Sequence, residues 1–332
     1  MATKLFTRHS NNSVAAETAS LAPSYATQDP HHDIELSRLG DIDPRASIEL
    51  ADSLLEVPPA YSESTTFAPT VQLQIQTTGK AILSFPLPPR PETTPAFPVH
   101  ADGSFSDRPR YLSVRPNRSS GSCYLVSGDG EETDSAAPLS TTTYRFGPGR
   151  HPQVRLFLPG TAGAGDACDL DGGDGDGLGP SWDAFAIEGR GLLTRACRVR
   201  TRLGTFEWRY ASRAERKAAG ADSLLVLDRI VKIVRARNVP GSSGGKDEEV
   251  RTPVAQFVRN AETRTPGSKP SSAGNGGRLM VDLSLWDEGE KVEREMAMVL
   301  VVTTVMSMLK KEVDRRRAQQ IAIMASVAGG GA

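Results

Sequence analysis

The residue types that most often perform acid–base or metal chemistry are unevenly spread along this 332-residue chain. All five histidines lie at or before residue 151: His9, His31, His32, His100 and His151. The rest of the chain therefore lacks a histidine for a Ser/His/Asp triad or for a histidine-based metal site. Catalysis by carboxylates alone stays open, but no phosphate-binding or dinucleotide-binding glycine pattern is found. These observations predict a non-enzymatic protein without a cofactor.

A second group of candidate ligands is the sequence DACDLDGGDGDGLG. It holds five aspartates: Asp166, Asp169, Asp171, Asp174 and Asp176. Carboxylate oxygens are preferred ligands of Ca²⁺, but the spacing lacks the closing Glu of an EF-hand loop. The glycine-rich nonapeptide that binds calcium in β-helices is not repeated either. We therefore favour a flexible acidic loop over a calcium site and predict no metal.

The most basic stretch of the chain is residues 190–217, where nine basic residues accompany two acidic ones. Five of its arginines are candidates for binding an anion: Arg198, Arg200, Arg202, Arg209 and Arg213. The first three recur with the period of two that places side chains on one face of a strand. Their charge suits the anionic headgroup of a phospholipid or an acidic peptide. The alternative is an ordinary solvated strand face, and the shortage of interleaved aromatic residues argues against nucleic acid.

The sequence VPPAYSES contains a PPxY motif formed by Pro58, Pro59 and Tyr61. Two prolines favour an extended polyproline II turn, and a tyrosine at this spacing fits the aromatic groove of a WW domain. A WW-domain protein, such as a HECT-type ubiquitin ligase, is therefore a candidate partner. The alternative is a chance match in a proline-rich segment. The PxxP sequence at residues 86–89 is interpreted as linker.

The first third of the chain, residues 1–104, has the composition of a disordered tail. It is rich in Ser, Thr and Pro, and it carries twelve acidic residues against six basic ones. Its scattered apolar residues would bury too little surface to offset the entropy lost on ordering. Only TVQLQIQ, where Val71, Leu73 and Ile75 alternate with glutamines, has the pattern of a short strand. Residues 326–332 are expected to form a second flexible tail.

From Tyr111 onward the sequence consists of short runs rich in β-branched and aromatic residues, separated by turn-rich loops. In GTFEWRY, the three aromatic residues fall on one face of a strand. In RLMVDLSLW, the residues predicted to share a face are Leu279, Val281, Leu283 and Leu285. Ten such runs without intervening helices predict a mainly β fold, a closed antiparallel barrel of about ten to twelve strands.

The most continuously apolar segment is residues 296–309, which contain no charge. As a helix it would span about 21 Å, which is shorter than the roughly 30 Å hydrocarbon core of a bilayer. A helix that is apolar on every side is either a membrane span or is surrounded by protein. We favour a helix that fills the barrel, and the alternative is a tail anchor in a thin bilayer.

The segment LGTFEWRYASRAER, followed by a late strand and an apolar C-terminal helix with a basic end, resembles the Tubby C-terminal-like superfamily. It is most similar to fungal members related to plant LURP-one-related proteins and phospholipid scramblases. The most specific residues are Phe206, Glu207 and Trp208, together with the 296–309 helix. The resemblance covers about residues 105–325 and implies a closed antiparallel barrel of about 12 strands around a central hydrophobic helix. It also implies binding of membrane lipids or partners in some members, with phosphoinositide recognition in the tubby branch.

Together these features predict a binding or adaptor protein that acts in the cytoplasm and peripherally at membranes. Three cysteines without CxxC spacing indicate reduced thiols, in keeping with that compartment. The expected partners are a WW-domain protein and an anionic phospholipid. The alternatives are a tail-anchored membrane protein and a scramblase-like lipid transporter.

Overall fold

The computed structural model describes residues 67–87, 92–117, 121–128, 137–144, 150–158, 181–191, 194–233 and 248–329. Within these ranges the chain is mainly β, with one long C-terminal helix. Most of the segment expected to be disordered, residues 1–66, lies outside them. Of the second expected tail, residues 326–329 belong to the helix, and residues 330–332 lie outside the described ranges.

Thirteen strands of the described residues form a single antiparallel sheet. In chain order they are β1 (Val71–Ile75), β2 (Glu92–Pro98), β3 (Tyr111–Arg115), β4 (Cys123–Ser127), β5 (Ser140–Thr143), β6 (Gln153–Leu156), β7 (Asp183–Ala186), β8 (Glu188–Gly189), β9 (Cys197–Thr201), β10 (Gly204–Tyr210), β11 (Ser223–Ile233), β12 (Glu248–Arg259) and β13 (Gly277–Val281). The helices are α1 (Arg213–Ala218) and α2 (Lys291–Gly329), and a 3₁₀ turn at Ser284–Trp286 precedes α2.

The sheet curls into a nearly closed barrel. Every strand pairs with its neighbours in the chain, except that β7 and β8 do not pair with each other. The first strand, β1, pairs with the last, β13, with Leu73 opposite Leu279. The two edges of the sheet, β7 and β8, are consecutive in the chain and separated only by Ile187. β7 pairs with β6 and β8 pairs with β9, so the two edges meet at this bend. Counted as one bent strand they bring the total to twelve, which confirms the predicted fold class.

Helix α2 passes through the inside of the barrel. All of residues 296–309 are buried, on every side of the helix, against the inward-facing side chains of the strands. Thr303 and Ser140 of β5 are hydrogen-bonded to each other at 2.6 Å, and Trp208 of β10 donates to Thr304 at 3.0 Å. The predicted central helix is therefore confirmed. Among the described helices, none combines the length and the apolar character that crossing a bilayer requires.

The barrel begins earlier in the chain than the boundary expected at residue 105. Both β1 and β2 lie within the segment interpreted as a tail. The composition of β2, ETTPAFP, hides the strand because prolines cannot donate to a β-ladder. Its prolines serve as acceptors instead: Gln76 N–H donates to the Pro95 carbonyl at 3.1 Å, and Ser106 N–H to the Pro98 carbonyl at 2.9 Å.

The predicted strand faces hold in β10 and fail at one position after β13. Phe206 and Trp208 lie in the core, as the alternation predicts. Leu279, Val281 and Leu283 are buried, but Leu285 is exposed, so its predicted position was wrong. The strand ends at Val281, and the 3₁₀ turn changes the period of the side chains, which places Trp286 in the core instead.

Candidate functional site

Arg198, the first of the arginines predicted to bind an anion, is paired within the protein. It lies on the outer face of β9 and donates through Nε to Glu207 Oε2 at 3.2 Å. Glu207 also accepts from Arg190 at 3.3 Å and from Arg251 at 3.0 Å. Burial alone would raise the pKa of Glu207, but Arg251, Arg190 and Arg198 outweigh burial and lower that pKa. An anion that bound Arg198 would therefore compete with a buried, ionised carboxylate.

Arg209 and Arg213 lie near each other in the chain but differ in their surroundings. Arg209 donates through Nε to Asp228 Oδ2 at 2.7 Å and through Nη2 to Glu215 Oε1 at 2.8 Å. Glu215 also completes the capping box of α1 with Ser212, so Arg209 ties that helix to the sheet. Arg213 is exposed at the first position of α1. Binding an anion at Arg209 would have to break these two ion pairs.

Arg200 and Arg202 also contact acceptors of the chain itself. Arg200 lies 3.5 Å from Glu188 in a largely exposed ion pair. The backbone N–H of Arg202 donates to Asp183 Oδ2 at 2.8 Å, and its guanidinium donates to the Trp182 carbonyl at 2.9 Å. Arg202 thus joins the β9–β10 turn to the start of β7, next to the place where the barrel closes. Its contacts assign it a structural role.

The predicted WW-binding motif and the aspartate-rich loop both lie outside the described residues. These are the PPxY residues Pro58, Pro59 and Tyr61, and the aspartates of residues 166–176. In the part of the chain that the structure describes, no group of three or more His, Cys, Asp or Glu side chains is placed to hold a metal ion.

A buried ion pair that the sequence did not reveal lies at the end of the barrel where α2 emerges. Arg259, the last residue of β12, donates through both Nη atoms to the carboxylate of Glu312 on α2, each at 2.7 Å. Glu312 also accepts from Tyr210 Oη at 2.6 Å and from the Gly274 N–H at 2.9 Å. Gly274 has φ +69, and a Cβ there would lie 2.6 Å from the Leu309 carbonyl, so glycine permits this close contact.

A small basic cavity of about 240 Å³ lies beside this ion pair. We call it the arginine pocket, and its arginines are Arg195, Arg259, Arg264, Arg315 and Arg316. The acidic residues among its described lining are Asp222, which pairs with Arg264, and Glu312. Arg195 stacks on the Tyr210 ring at 5.7 Å, and Arg316 donates to the Ser271 carbonyl at 3.2 Å. The pocket therefore keeps a positive charge after its internal pairing.

A larger cavity of about 550 Å³ lies at the same end of the barrel, between α2 and strands β2 to β4. The inner face of these strands is apolar deeper in the barrel, where Ala96, Tyr111 and Leu125 join the core. At the cavity the same face becomes polar, with Glu92, Thr94, Ser113, Arg115 and Cys123. The opposite wall consists of α2 and the segment that connects β1 to β2. Burial, the largest effect, raises the pKa of the Cys123 thiol, which disfavours a nucleophilic thiolate.

Exposed apolar side chains are concentrated next to this cavity. We call them the apolar lobe, and they are Ile82, Leu83, Phe85, Leu87, Ile321, Ile323 and Met324. Leu83 and Phe85 are the most exposed, at 95% and 76%. Gln320 donates to the Ile82 carbonyl at 2.7 Å, and Arg317 donates to the Pro86 carbonyl at 2.8 Å. These bonds fix the β1–β2 connection against α2, which makes the two groups of apolar residues one surface.

No family model, curated protein or solved structure matches this chain. The resemblance to the Tubby C-terminal-like superfamily therefore rests on the sequence features alone. The cavity, the arginine pocket and the apolar lobe could not be predicted from the sequence. Their residues come from parts of the chain far apart in sequence, although the basic run at residues 315–317 and the apolar residues after it were visible as a pattern.

Proposed function

We propose that this chain is a non-enzymatic, Tubby-like binding protein that attaches peripherally to anionic membranes by one end of its barrel. The observation that carries the proposal is the apolar lobe next to a row of arginines on α2. Large exposed apolar patches with polar rims are typical of interaction sites. The basic rim selects an anionic bilayer as the occupant of this surface.

The chemistry of the lobe fits the interface of a bilayer. Apolar side chains gain free energy by entering the acyl boundary, and cations beside them gain about 1 kcal/mol each near an anionic surface. Residues 315–329 contain three arginines and no acidic residue. The arginine pocket uses Arg315 and Arg316, on the turn of α2 that precedes the lobe. A lipid headgroup could therefore contact the pocket while the lobe enters the bilayer.

Charging the tip of the lobe is expected to abolish this attachment. The double substitution Leu83→Asp and Phe85→Asp removes the two most exposed apolar side chains. Affinity for phosphatidylserine vesicles should fall about a hundredfold or more, because each side chain contributes on the order of 1.5–3 kcal/mol when buried. Co-sedimentation of the full chain with vesicles measures this. The wild type should also bind pure phosphatidylcholine vesicles more weakly, since the arginines contribute only at an anionic surface.

A matched control places the same charges on another exposed apolar pair. Val231 and Ile233 lie at the end of β11, and Val231→Asp with Ile233→Asp should bind vesicles as the wild type does. Equal binding by the lobe variant and the control would contradict the proposal. The proposal would also be contradicted if the wild-type protein stayed in the supernatant with both kinds of vesicle. The apolar lobe would then be a binding site for a protein partner.

We propose a second activity, recruitment of a WW-domain protein by the PPxY motif, on the basis of the sequence. Pro58 and Pro59 favour the extended conformation before binding, and Tyr61 supplies the aromatic anchor. A short peptide of this kind is expected to bind with micromolar affinity, on the order of −8 kcal/mol. Together the two activities describe an adaptor that brings a WW-domain protein, such as a HECT-type ubiquitin ligase, to a membrane.

Replacing Tyr61 by alanine should remove binding to WW domains of HECT-type ligases, because the substitution deletes the anchor of a small interface. Pro59→Ala should have the same effect. Fluorescence anisotropy with a labelled peptide of residues 50–70 measures both variants. The control is Tyr25→Ala, because Tyr25 lies in the same N-terminal third but outside a PPxY motif. This control is measured in the full chain, since the peptide does not include Tyr25. A Tyr61→Ala variant that binds as tightly as the wild type would remove the adaptor function.

A further inference from the structure

The cavity of about 550 Å³ combines polar walls with unfilled space between α2 and the strands. Deeper in the barrel, apolar side chains of the strands join those of α2 in one core. A cavity of this size lies within the range of about 300–1,000 Å³ that is usual for small-molecule sites. Its lining combines cations, hydroxyl groups and aliphatic side chains.

We infer that this cavity binds a single-chain amphiphile with an anionic head, of which a long-chain fatty acid is the simplest example. The head would lie between Arg115, at the end of β3, and Lys310 on α2. The hydrocarbon chain would contact Met306, Leu309 and Val313, which form an aliphatic strip along α2. This goes beyond the proposed attachment to membranes, because it concerns a ligand inside the barrel.

The positions of the cations support an anionic head. Arg115 and Lys310 both lie close enough to Cys123 to act on its thiol by charge. Lys310 is positioned by stacking on the Tyr144 ring, with Nζ at 4.2 Å from the centroid, and by an ion pair with Asp314. Its stem passes against Gly121, where a Cβ would lie 2.7 Å from Lys310 Cε. Lys310 is thus held at the wall of the cavity, which Arg115 of β3 also lines.

Lys80, in the segment that connects β1 to β2, adds a third cation to the lining of the cavity. It donates to the Phe85 carbonyl at 2.7 Å. Burial, and then repulsion by Arg317, lower the pKa of Lys80. The acidic residue among the described residues that line the cavity is Glu92. Asp314 pairs with Lys310, so three cations are accompanied by two carboxylates, and a bound anion would offset the remaining positive charge.

The cavity is adjacent to the apolar lobe. The connection between β1 and β2 lines the cavity with Ala81 and Ser84 and carries Leu83 and Phe85 on its exposed side. Leu87 belongs to both surfaces. A hydrocarbon chain could therefore pass from a bilayer into the cavity along apolar side chains. Binding of the amphiphile from solution does not require that route, so it can be tested separately from membrane attachment.

Native mass spectrometry and calorimetry of the full chain with palmitate test this inference. Palmitate should bind with one molecule per chain. Hexadecanol, which has the same chain length without the charge, should bind at least about tenfold more weakly, the effect of losing one charge-assisted contact. Acetate should not bind measurably. Absence of a palmitate complex, or equal affinity for hexadecanol, would overturn the inference.

Two pairs of neighbouring residues supply matched variants. Ser113 lines the cavity and Val114 points to the other side of β3, so Ser113→Phe should abolish palmitate binding and Val114→Phe should not. Lys310 lines the cavity, whereas Lys311 contacts Cys197 Sγ at 3.1 Å. Lys310→Met should weaken palmitate binding about tenfold and leave hexadecanol binding unchanged. Lys311→Met should change neither.

The lysine variants keep the test decisive if Ser113→Phe does not fold. Unchanged palmitate binding by Lys310→Met would overturn the position of the head. An equal loss of palmitate binding in Lys310→Met and Lys311→Met would show a general effect of charge rather than a site. The inference requires that palmitate binding is weakened only by substitutions of residues that line the cavity.

Discussion

Replacing Val302 by aspartate is expected to unfold the barrel as a unit. Val302 is fully buried in the middle of the segment of α2 that the strands surround. An unpaired ion in such a place costs several kcal/mol, which is a large part of the roughly 5–15 kcal/mol that stabilises a typical domain. Circular dichroism should show loss of the cooperative thermal transition, or a Tm lower by more than about 20 °C.

Ala318→Asp is the matched control, because it puts the same charge on an exposed position of the same helix. Its free energy of unfolding should change by only about 0.5 kcal/mol. A Val302→Asp variant that melts close to the wild-type temperature would mean that α2 is not enclosed by the strands in solution. The description of the barrel as a shell around a helix would then be wrong.

Glu312→Gln should lower the free energy of unfolding by about 3–5 kcal/mol, because it leaves the Arg259 guanidinium buried without its counter-ion. Both side chains are almost fully buried, and the carboxylate joins α2 to β10, β12 and the loop at Gly274. Urea denaturation measures the change. Arg259→Met combined with Glu312→Leu should be more stable than Glu312→Gln, since it removes both charges. A loss below about 1 kcal/mol in the single variant would contradict the role of this pair.

The same pair predicts how stability depends on pH. Burial, the largest effect, would raise the pKa of Glu312, but Arg259, Tyr210 and the Gly274 N–H together lower it below its usual 4.5. The resulting stabilisation is present above pH 4.5 and is lost as the pH falls through the lowered pKa of the folded state. Glu312→Gln should therefore lose less stability than the wild type when the pH is lowered from 5 to 3.

The parts of the fold that the sequence predicts are those with a strong local period. Phe206 and Trp208 alternate with charged residues, and the structure places both in the core. Residues 296–309 are apolar on every side of a helix, so exposing any face of this helix to water would be unfavourable. The barrel and its central helix follow from these two patterns.

Two strands were hidden because their composition resembles that of loops. The prolines of β2 suggested a disordered tail, although their carbonyls accept hydrogen bonds in the barrel. The strand β5 (Ser140–Thr143) consists only of residues with hydroxyl side chains. Ser140 is buried because Thr303 of α2 satisfies its hydroxyl, and this partner lies 163 residues away. Such long-range pairing leaves no signal in a local window.

The candidate site was harder to predict than the fold. The alternation of Arg198 and Arg200 correctly indicated an outward face of a strand, but it did not show the carboxylates of Glu207 and Glu188 that pair with them. The apolar lobe combines the β1–β2 connection with the end of α2, more than 200 residues apart in contacts such as that of Gln320 with Ile82. Only tertiary structure brings these two elements together.

Hydrogen–deuterium exchange of the full chain, with and without phosphatidylserine vesicles, tests the proposed membrane attachment most directly. Amide exchange reports where a bound surface protects the backbone. We predict protection of residues 80–87 and 315–324, with no change on the outer strands around Arg198 and Arg209. Protection confined to residues 198–213, or no protection anywhere, would contradict attachment through the apolar lobe.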